Sequence, residues 1–347
     1  MAMGAFRKQA ATIVLVALAT AVPLAGLELT ARVLTHFRIV QFWKPIQIVW
    51  TEGTEDYRLA HLTLYDYGEP DPLLIWKPPA SPPYNAQRFK GPLMAVPKPA
   101  GVFRIMCYGD SNTDGLDSGG WPDELRHILE ERASKGRLRY EVVNAGVAGY
   151  SSHQGLLRFR QEVELYQPDL VTVSFGWNDA AEIGGGRPDR EYQPSAARVR
   201  VLRVLLKSRL YLVLMRYLQP KRPRTETREY TARVPLSDYL KNMESFAEIA
   251  GKHGASVVFL TRPHREQEAK LRQYQIWERQ IPEYNSRLRL WAQERRLPLI
   301  DVQAIFERAG AEFFADKGHF TAAGQQRMAD TLITELAGRG LIPGVAP

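Results

Sequence analysis

The fold of this 347-residue chain is decided by the stretch Phe103-Arg104-Ile105-Met106-Cys107-Tyr108-Gly109-Asp110-Ser111. Its first six residues are mostly apolar and lead into a glycine, which predicts a buried strand. Ser111 follows where the chain must turn into a helix. A hydroxyl at that place is exposed at the carboxyl edge of a sheet, where the N–H groups of the turn and the positive end of the helix stabilise negative charge. The stretch therefore predicts a strand, a turn and a position for a nucleophile.

Strand-like and helix-like patterns alternate downstream of this stretch. Apolar runs predict strands over residues 104–109, 140–144, 170–175, 255–261 and 298–302. Helical patterns occur around residues 122–133, 153–166, 237–253, 284–294 and 321–338. This alternation predicts an α/β fold with a parallel sheet and helices on both faces. The pattern does not indicate the order of the strands.

Three further blocks follow the serine block in order. Residues 142–152 and 171–179 are strand-to-loop passages that contain Gly149 and Asn178, and Asp316-Lys317-Gly318-His319 lies near the C-terminus. Over roughly residues 101–340 the chain resembles the SGNH, or GDSL-type, hydrolases, which are named for a Ser, a Gly, an Asn and a His in separate blocks. One block alone is a weak signal, whereas the full set in order at strand ends is specific.

The resemblance implies a three-layer, flavodoxin-like fold and assigns a role to each block. Ser111 matches the nucleophile, His319 the general base and Asp316 the carboxylate that orients the base. The N–H groups of Ser111 and Gly149 and the side-chain amide of Asn178 match the oxyanion hole. A serine hydroxyl needs an imidazole to take its proton, and a tetrahedral oxyanion needs fixed hydrogen-bond donors.

Each of these residues also has an alternative interpretation. Ser111 and Asn178 occupy positions typical of helix N-caps, and a lone histidine near the C-terminus is often a surface residue. The competing candidates are Gly146 for Gly149, Asp301 for Asp316 and His264 for His319. The register of the blocks favours the first assignment in each case.

The serine loop also resembles two binding loops. Residues 110–115 match the opening of an EF-hand calcium loop, but the twelfth position is Trp121 instead of a bidentate Glu, and a strand precedes the loop. A phosphate-binding loop is disfavoured because Asp110, Asp114 and Asp117 would repel an anion. No cluster has convincing zinc spacing. We therefore expect neither a metal nor a cofactor.

Composition is that of one globular core with appendages. The chain is 24% charged and 45% hydrophobic, with a net charge of +8. Its single cysteine, Cys107, lies inside the first predicted strand, so an intrachain disulfide is excluded and an inert core thiol is expected.

The N-terminus carries a membrane signal. Arg7 and Lys8 precede an uncharged stretch of 18 residues from Ala10 to Leu27, just enough to span the ~30 Å hydrocarbon core. The positive flank stays in the cytoplasm, so everything after Glu28 is exported, to the periplasm or the exterior in a bacterium. A cleaved signal peptide is the alternative, because residues 19–21 resemble a cleavage site. The apolar stretch continues past that site, which favours an uncleaved anchor.

We assign residues 1–28 to the anchor, 29–100 to a connector and 101–342 to the hydrolase domain. Ten of the 23 prolines lie between Pro45 and Pro99, so the connector is expected to lack long helices and central strands. Its segment 85–91, Asn85-Ala86-Gln87-Arg88-Phe89-Lys90-Gly91, resembles a segment that often precedes the serine block in membrane-anchored SGNH proteins.

A basic insertion, residues 184–235, interrupts the hydrolase pattern. Between Arg187 and Arg233 there are 13 Lys or Arg residues against four acidic residues. Residues 199–214 mix aliphatic and basic side chains at helical spacing, which is typical of a helix on an anionic membrane surface, of a lid or of a solvated surface helix. Nucleic-acid binding is disfavoured because no recognition motif accompanies the charge.

The sequence thus predicts an exported serine esterase that hydrolyses an acyl ester, acetyl esters included, of a carbohydrate or lipid through an acyl-enzyme. An O-acyltransferase with the same site is one alternative. A binding or scaffold protein that kept the fold without turnover is another. The oligomeric state is not indicated.

Overall fold

The structure, a computed structural model, describes residues 2–40, 68–116, 119–133, 138–182, 188–191, 195–218, 230–265 and 272–345. The chain divides into two compact units. The smaller unit comprises Met1–Gln47 and Ser195–Thr227, and the larger comprises Ile48–Pro194 and Arg228–Pro347. The domain boundaries expected from the sequence stay predictions, and parts of the connector and of the basic insertion lie outside the described residues.

The larger unit contains a hairpin and a parallel sheet. The hairpin pairs β1 (Glu69–Asp71) with β2 (Ile75–Lys77). The sheet contains β3 (Val102–Gly109), β4 (Arg139–Asn144), β5 (Leu170–Ser174), β6 (Ser256–Leu260) and β7 (Leu299–Ile300). All neighbouring strands are parallel, in the order β4-β3-β5-β6-β7. This is the flavodoxin-like order, whose switch point lies between β3 and β5.

The helices are numbered along the chain. They are α1 (Ala2–His36), α2 (Ser111–Asp114), α3 (Trp121–Ala133), α4 (Ser152–Tyr166), α5 (Ala196–Leu205), α6 (Arg209–Leu218), α7 (Leu236–Lys252), α8 (Arg272–Arg295), α9 (Val302–Glu307) and α10 (Ala322–Gly338).

Helices cover both faces of the sheet. Side chains alternate along β3, so this strand contacts the helices on each face. Ile105 and Cys107 belong to an apolar cluster with Leu125 of α3 and Leu332 of α10. Tyr108 faces the other side, where its ring contacts Phe159 of α4 and Phe246 of α7. The predicted three-layer α/β fold is confirmed. Burial raises the pKa of the Cys107 thiol to about 12, as expected of an inert core residue.

Several elements differ from the prediction. The single helix expected over residues 199–214 is two helices, α5 and α6, separated by Leu206, Lys207 and Ser208. The last strand is reduced to Leu299–Ile300, because Asp301 already caps α9 by accepting the Ala304 N–H at 3.3 Å. α8 begins twelve residues earlier than predicted and continues through Pro282.

The smaller unit consists of α1, α5 and α6 in the described residues. α1 runs eight residues beyond the predicted end of the anchor. The part from Gln9 to His36 is long and apolar enough to cross a bilayer, with a mean hydropathy of 2.2 in its most apolar window, none of which is buried within the protein. An N-terminal apolar helix is therefore present.

Candidate active site

The carboxyl edge of the sheet brings Ser111 and His319 together although they are 208 residues apart. Ser111 follows β3, and its Oγ lies 2.7 Å from Nε2 of His319. Nδ1 of His319 lies 2.7 Å from Oδ2 of Asp316. Oδ1 of Asp316 accepts the N–H groups of Gly318 and His319 at 2.8 and 2.7 Å. The three side chains therefore form one continuous line of hydrogen bonds.

The carboxylate of Asp316 is held in its ionised form. Burial alone would raise its pKa, but the imidazole of His319 and the two backbone N–H donors outweigh burial and lower the pKa to about 2. An ionised Asp316 fixes the imidazole tautomer with its proton on Nδ1, which leaves Nε2 as an acceptor facing the serine.

The competing candidates have other partners. Asp301 makes a two-fold ion pair with Arg289, at 2.8 Å for both contacts, and accepts the hydroxyl of Thr261 at 2.8 Å. The backbone of His264 exchanges hydrogen bonds with the side chain of Gln303. Neither residue joins the line that contains Ser111.

Gly149 and Gly146 serve different purposes in the loop after β4. Gly149 has a φ of 79°, a left-handed conformation that favours glycine. Its carbonyl accepts Arg233 at 2.8 Å, and its N–H has no hydrogen-bond acceptor among the described residues. At Gly146 a Cβ would lie 2.4 Å from the backbone nitrogen of Asp114, so this glycine permits close packing.

Asn178 is buried in the loop after β5, and its Nδ2 donates to the carbonyl oxygen of Tyr150 at 3.0 Å. A side-chain amide carries two N–H donors, so one remains for another acceptor. The bond also ties the Asn178 loop to the Gly149 loop.

The helix after Ser111 is a single turn. α2 contains four residues and ends at Gly115, with a φ of 77°. The sequence indicated the positive end of a helix at this place, but one turn contributes only a small dipole. The N–H of Ser111, the first residue of the helix, has no intrahelical acceptor and stays available to a ligand.

A buried ion pair that the sequence analysis missed links the serine and histidine loops. Arg262, two residues after β6, donates to both carboxylate oxygens of Asp110 at 3.0 Å each, and both side chains are 1% exposed. The guanidinium also reaches the carbonyl of Gly318 at 3.4 Å. The position of Arg262 at the end of a predicted strand could have marked it as a candidate site residue. Its pairing with Asp110 could not be predicted, because the two residues lie far apart in the sequence.

Asp179 holds the loop that carries Asn178. Its carboxylate accepts the N–H groups of Ser152 at 2.9 Å and of Gly176 at 3.0 Å, and also the Ser152 hydroxyl. Burial is the largest influence and raises the pKa of Asp179 to about 7, although the two hydrogen bonds from Ser152 and the charge of Arg233 act in the opposite direction.

The connector segment 85–91 contacts the serine helix. Lys90 is buried and donates to Oδ1 of Asp114 at 2.9 Å, to the Asp114 carbonyl at 3.1 Å and to the Leu116 carbonyl at 2.7 Å. The hydroxyl of Tyr84 donates to Oδ2 of Asp114 at 2.7 Å. Asp110 and Asp114, which resembled calcium ligands in the sequence, thus each pair with a buried cation. Among the described residues no cluster of metal-ligating side chains is found.

A serine, a histidine and a carboxylate joined by hydrogen bonds at a sheet edge are the arrangement of a serine hydrolase. A profile of the GDSL-like lipase/acylhydrolase family matches residues 107–327. The chain belongs to this family and thereby to a class of ester-bond hydrolases.

Individual proteins match less completely. The lipoprotein YqeF of Bacillus subtilis is 32% identical over 87 residues, which are 24% of this chain and about a third, 35%, of that protein. A lipase/acylhydrolase from Enterococcus faecalis is 21% identical, with a TM-score of 0.44, and covers 68% of this chain and 96% of its own. An acetylxylan esterase from Geobacillus stearothermophilus is 18% identical, with a TM-score of 0.45 and coverages of 67% and 94%.

Proposed function

We propose that the protein is a serine esterase that cleaves an acyl ester of a carbohydrate or lipid through an acyl-enzyme on Ser111. The observation that carries the proposal is the line of hydrogen bonds from Ser111 through His319 to Asp316, with 2.7 Å at both junctions. Family membership supports the ester as the bond that is cleaved.

In the first half-reaction, Oγ of Ser111 attacks the ester carbonyl while its proton moves to Nε2 of His319. The ionised Asp316 stabilises the imidazolium that forms. The tetrahedral intermediate then expels the alcohol, which takes the proton from Nε2. In the second half-reaction, water attacks the acyl carbonyl while one of its protons moves to Nε2 of His319. The bond between the carbonyl carbon and Oγ then breaks, and Oγ takes the proton back from Nε2, which releases the carboxylic acid and restores Ser111.

The negative charge on the intermediate needs donors that are in place before the reaction. The N–H groups of Ser111 and Gly149 and the remaining N–H of the Asn178 amide supply them in this proposal. Supporting observations are the left-handed backbone of Gly149, its N–H without an acceptor in the described part of the chain, and the hydrogen bond that orients Asn178.

The test is covalent labelling of the full chain with a fluorophosphonate, followed by turnover of acyl esters of increasing chain length. We expect the label on Ser111, and we expect Ser111→Ala to lose labelling and at least ~10⁴-fold in turnover, by analogy with triad knockouts. Ser256→Ala is the control, because Ser256 is exposed at the start of β6, on the edge of the sheet opposite Ser111. Near wild-type hydrolysis by the Ser111→Ala variant would exclude the mechanism.

We further propose that α1 anchors the protein, with the larger unit outside the cytoplasm. Its exposed apolar side chains support insertion, as does the hydroxyl of Thr20, which donates to the carbonyl of Val16 at 2.8 Å and is thereby satisfied within the helix. Arg7 and Lys8 at its start support the orientation.

A further inference from the structure

Two charged residues of α1 bind the two helix ends at the bend between α5 and α6. The carboxylate of Glu28 accepts the N–H groups of Arg209 and Leu210 at 3.0 and 2.9 Å and the hydroxyl of Ser208 at 2.7 Å. Arg32 donates to the carbonyl of Lys207 at 3.1 Å, beside the end of α5, and pairs with Glu28 at 2.7 Å. A negative charge at the start of α6 and a positive charge near the end of α5 both complement the helix dipoles. The bend and α6 are thus docked on α1 at a defined height. The helix–bend–helix segment formed by α5, residues 206–208 and α6 is called the α5–α6 hairpin.

The docking point on α1 lies directly after the end of the apolar stretch. Glu28 is the first charged residue after Lys8, and the 18 residues between Ala10 and Leu27 rise about 27 Å in a helix. This length nearly equals the roughly 30 Å hydrocarbon core of a bilayer. With α1 inserted, Glu28 and the bend that it caps lie at the level of the lipid headgroups.

Each hairpin helix leaves an apolar stripe exposed. On α5 the stripe contains Val201, Val204 and Leu205, which are 58%, 69% and 37% exposed. On α6 it contains Leu214, Tyr217 and Leu218. Both sets have the spacing i, i+3, i+4 of a single helix face. The inward positions, Val199 on α5 and Leu212 on α6, are buried.

Basic residues flank the stripe on α5. Arg198 lies on one side of it and Arg200 on the other, and Lys207 follows in the bend; all three are exposed. Long basic side chains beside an apolar stripe extend their charges to phosphate groups while their stems stay on the apolar surface. Tyr217 adds an aromatic ring of the kind that is enriched at membrane interfaces.

We propose that the α5–α6 hairpin lies in the headgroup region of an anionic phospholipid bilayer, with both stripes buried in the upper acyl chains. This inference rests on the proposed insertion of α1 and not on the esterase site. The basic insertion is then a second membrane contact, docked on the anchor through Glu28 and Arg32.

The experiment places single cysteines in the full chain and labels them with the fluorophore NBD in vesicles of phosphatidylcholine with or without phosphatidylglycerol. Val204→Cys and Leu218→Cys report on the hairpin, Val16→Cys on the centre of α1, and Glu294→Cys on an exposed site of the larger unit. Wild-type protein, whose only thiol is the buried Cys107, gives the labelling background. Quenchers are aqueous iodide and nitroxides at shallow or deep positions on the lipid.

We expect hairpin labels with several-fold lower iodide quenching than the label at position 294, and strongest quenching by the shallow nitroxide. The Val16→Cys label should be quenched by the deep nitroxide. Shielding of the hairpin labels should increase when phosphatidylglycerol is present, and equal shielding in both vesicles would overturn the anionic preference.

Three other results would overturn the proposal outright. Suppose iodide quenches the hairpin labels freely while the Val16→Cys label lies in the bilayer. The proposed anchor would then be supported, and the proposed interfacial position of the hairpin would be wrong. Hairpin labels shielded from iodide but not quenched by any lipid nitroxide would show that a second copy of the chain or another protein surface covers the stripes. A Val16→Cys label in water would remove the anchor and the hairpin together. Esterase activity, measured on the same samples, is independent of all these outcomes.

Discussion

In the proposed mechanism the general base must accept the proton of Ser111, so acid should abolish activity. Asp316 does not add a second ionisation in this range. The lowered pKa of Asp316, about 2, means that its contribution to stability is present above the ordinary value of 3.8 and is lost as the pH falls towards 2. We therefore expect kcat/KM to rise from acid to neutral pH in a single one-proton step, in a titration with a soluble acetyl ester. A two-proton step would contradict the assignment of Asp316.

Asp316→Asn tests the orienting carboxylate directly. It should lower kcat about 10⁴-fold, because an amide cannot hold the required imidazole tautomer. Asp301→Asn is the matched control, since Asp301 bonds to Arg289 and Thr261 and not to the histidine. If Asp301→Asn costs more activity than Asp316→Asn, the alternative orienting residue is the correct one.

Asn178→Ala should lower kcat by about 10² to 10³ with a small change in KM, because in the proposed mechanism the removed N–H acts on the oxyanion and not on the bound ester. Steady-state kinetics over a range of ester concentrations separates the two parameters. A raised KM at unchanged kcat would instead make Asn178 a substrate-binding residue.

At the scale of elements, the contact between the connector and the serine helix depends on Lys90. Lys90→Met leaves the buried carboxylate of Asp114 without its cation, which should lower the free energy of unfolding by about 3–5 kcal/mol. Lys98→Met is the control, because Lys98 pairs with the more exposed Asp169 and should cost about 0–1 kcal/mol. Thermal melting of the detergent-solubilised chain compares the two variants.

The pH dependence of the Lys90→Met effect has a defined sign. Burial raises the pKa of Asp114, while Lys90 and Tyr84 act in the opposite direction, so removal of Lys90 raises the pKa further. A group with a raised folded-state pKa stabilises the protein fully below the unfolded value of 3.8 and loses that contribution as the pH rises. The difference in free energy of unfolding between wild type and Lys90→Met should therefore become smaller as the pH falls. A difference that grows in acid would contradict the role of Asp114.

At the scale of the whole molecule, the chain should stay in the membrane pellet after a high-salt wash, because salt screens electrostatic adsorption and not apolar insertion. Sequencing of the mature N-terminus distinguishes an anchor from a signal peptide. If the mature protein begins near Val22, the proposed anchor is wrong and the segment is a cleaved signal peptide, while the proposed export is unaffected.

The sequence alone determined the strands, most helices, the four motif blocks and the apolar stretch, because these follow from local periodicity and from residues that end elements. It could not order the strands, and it could not place Lys90 on Asp114 or Arg262 on Asp110. Such partners lie far apart in the chain, and the tertiary structure alone selects them. The break between α5 and α6 has the same origin. Local propensity favours one helix there, whereas Glu28, 180 residues from Ser208, supplies the cap that starts a second.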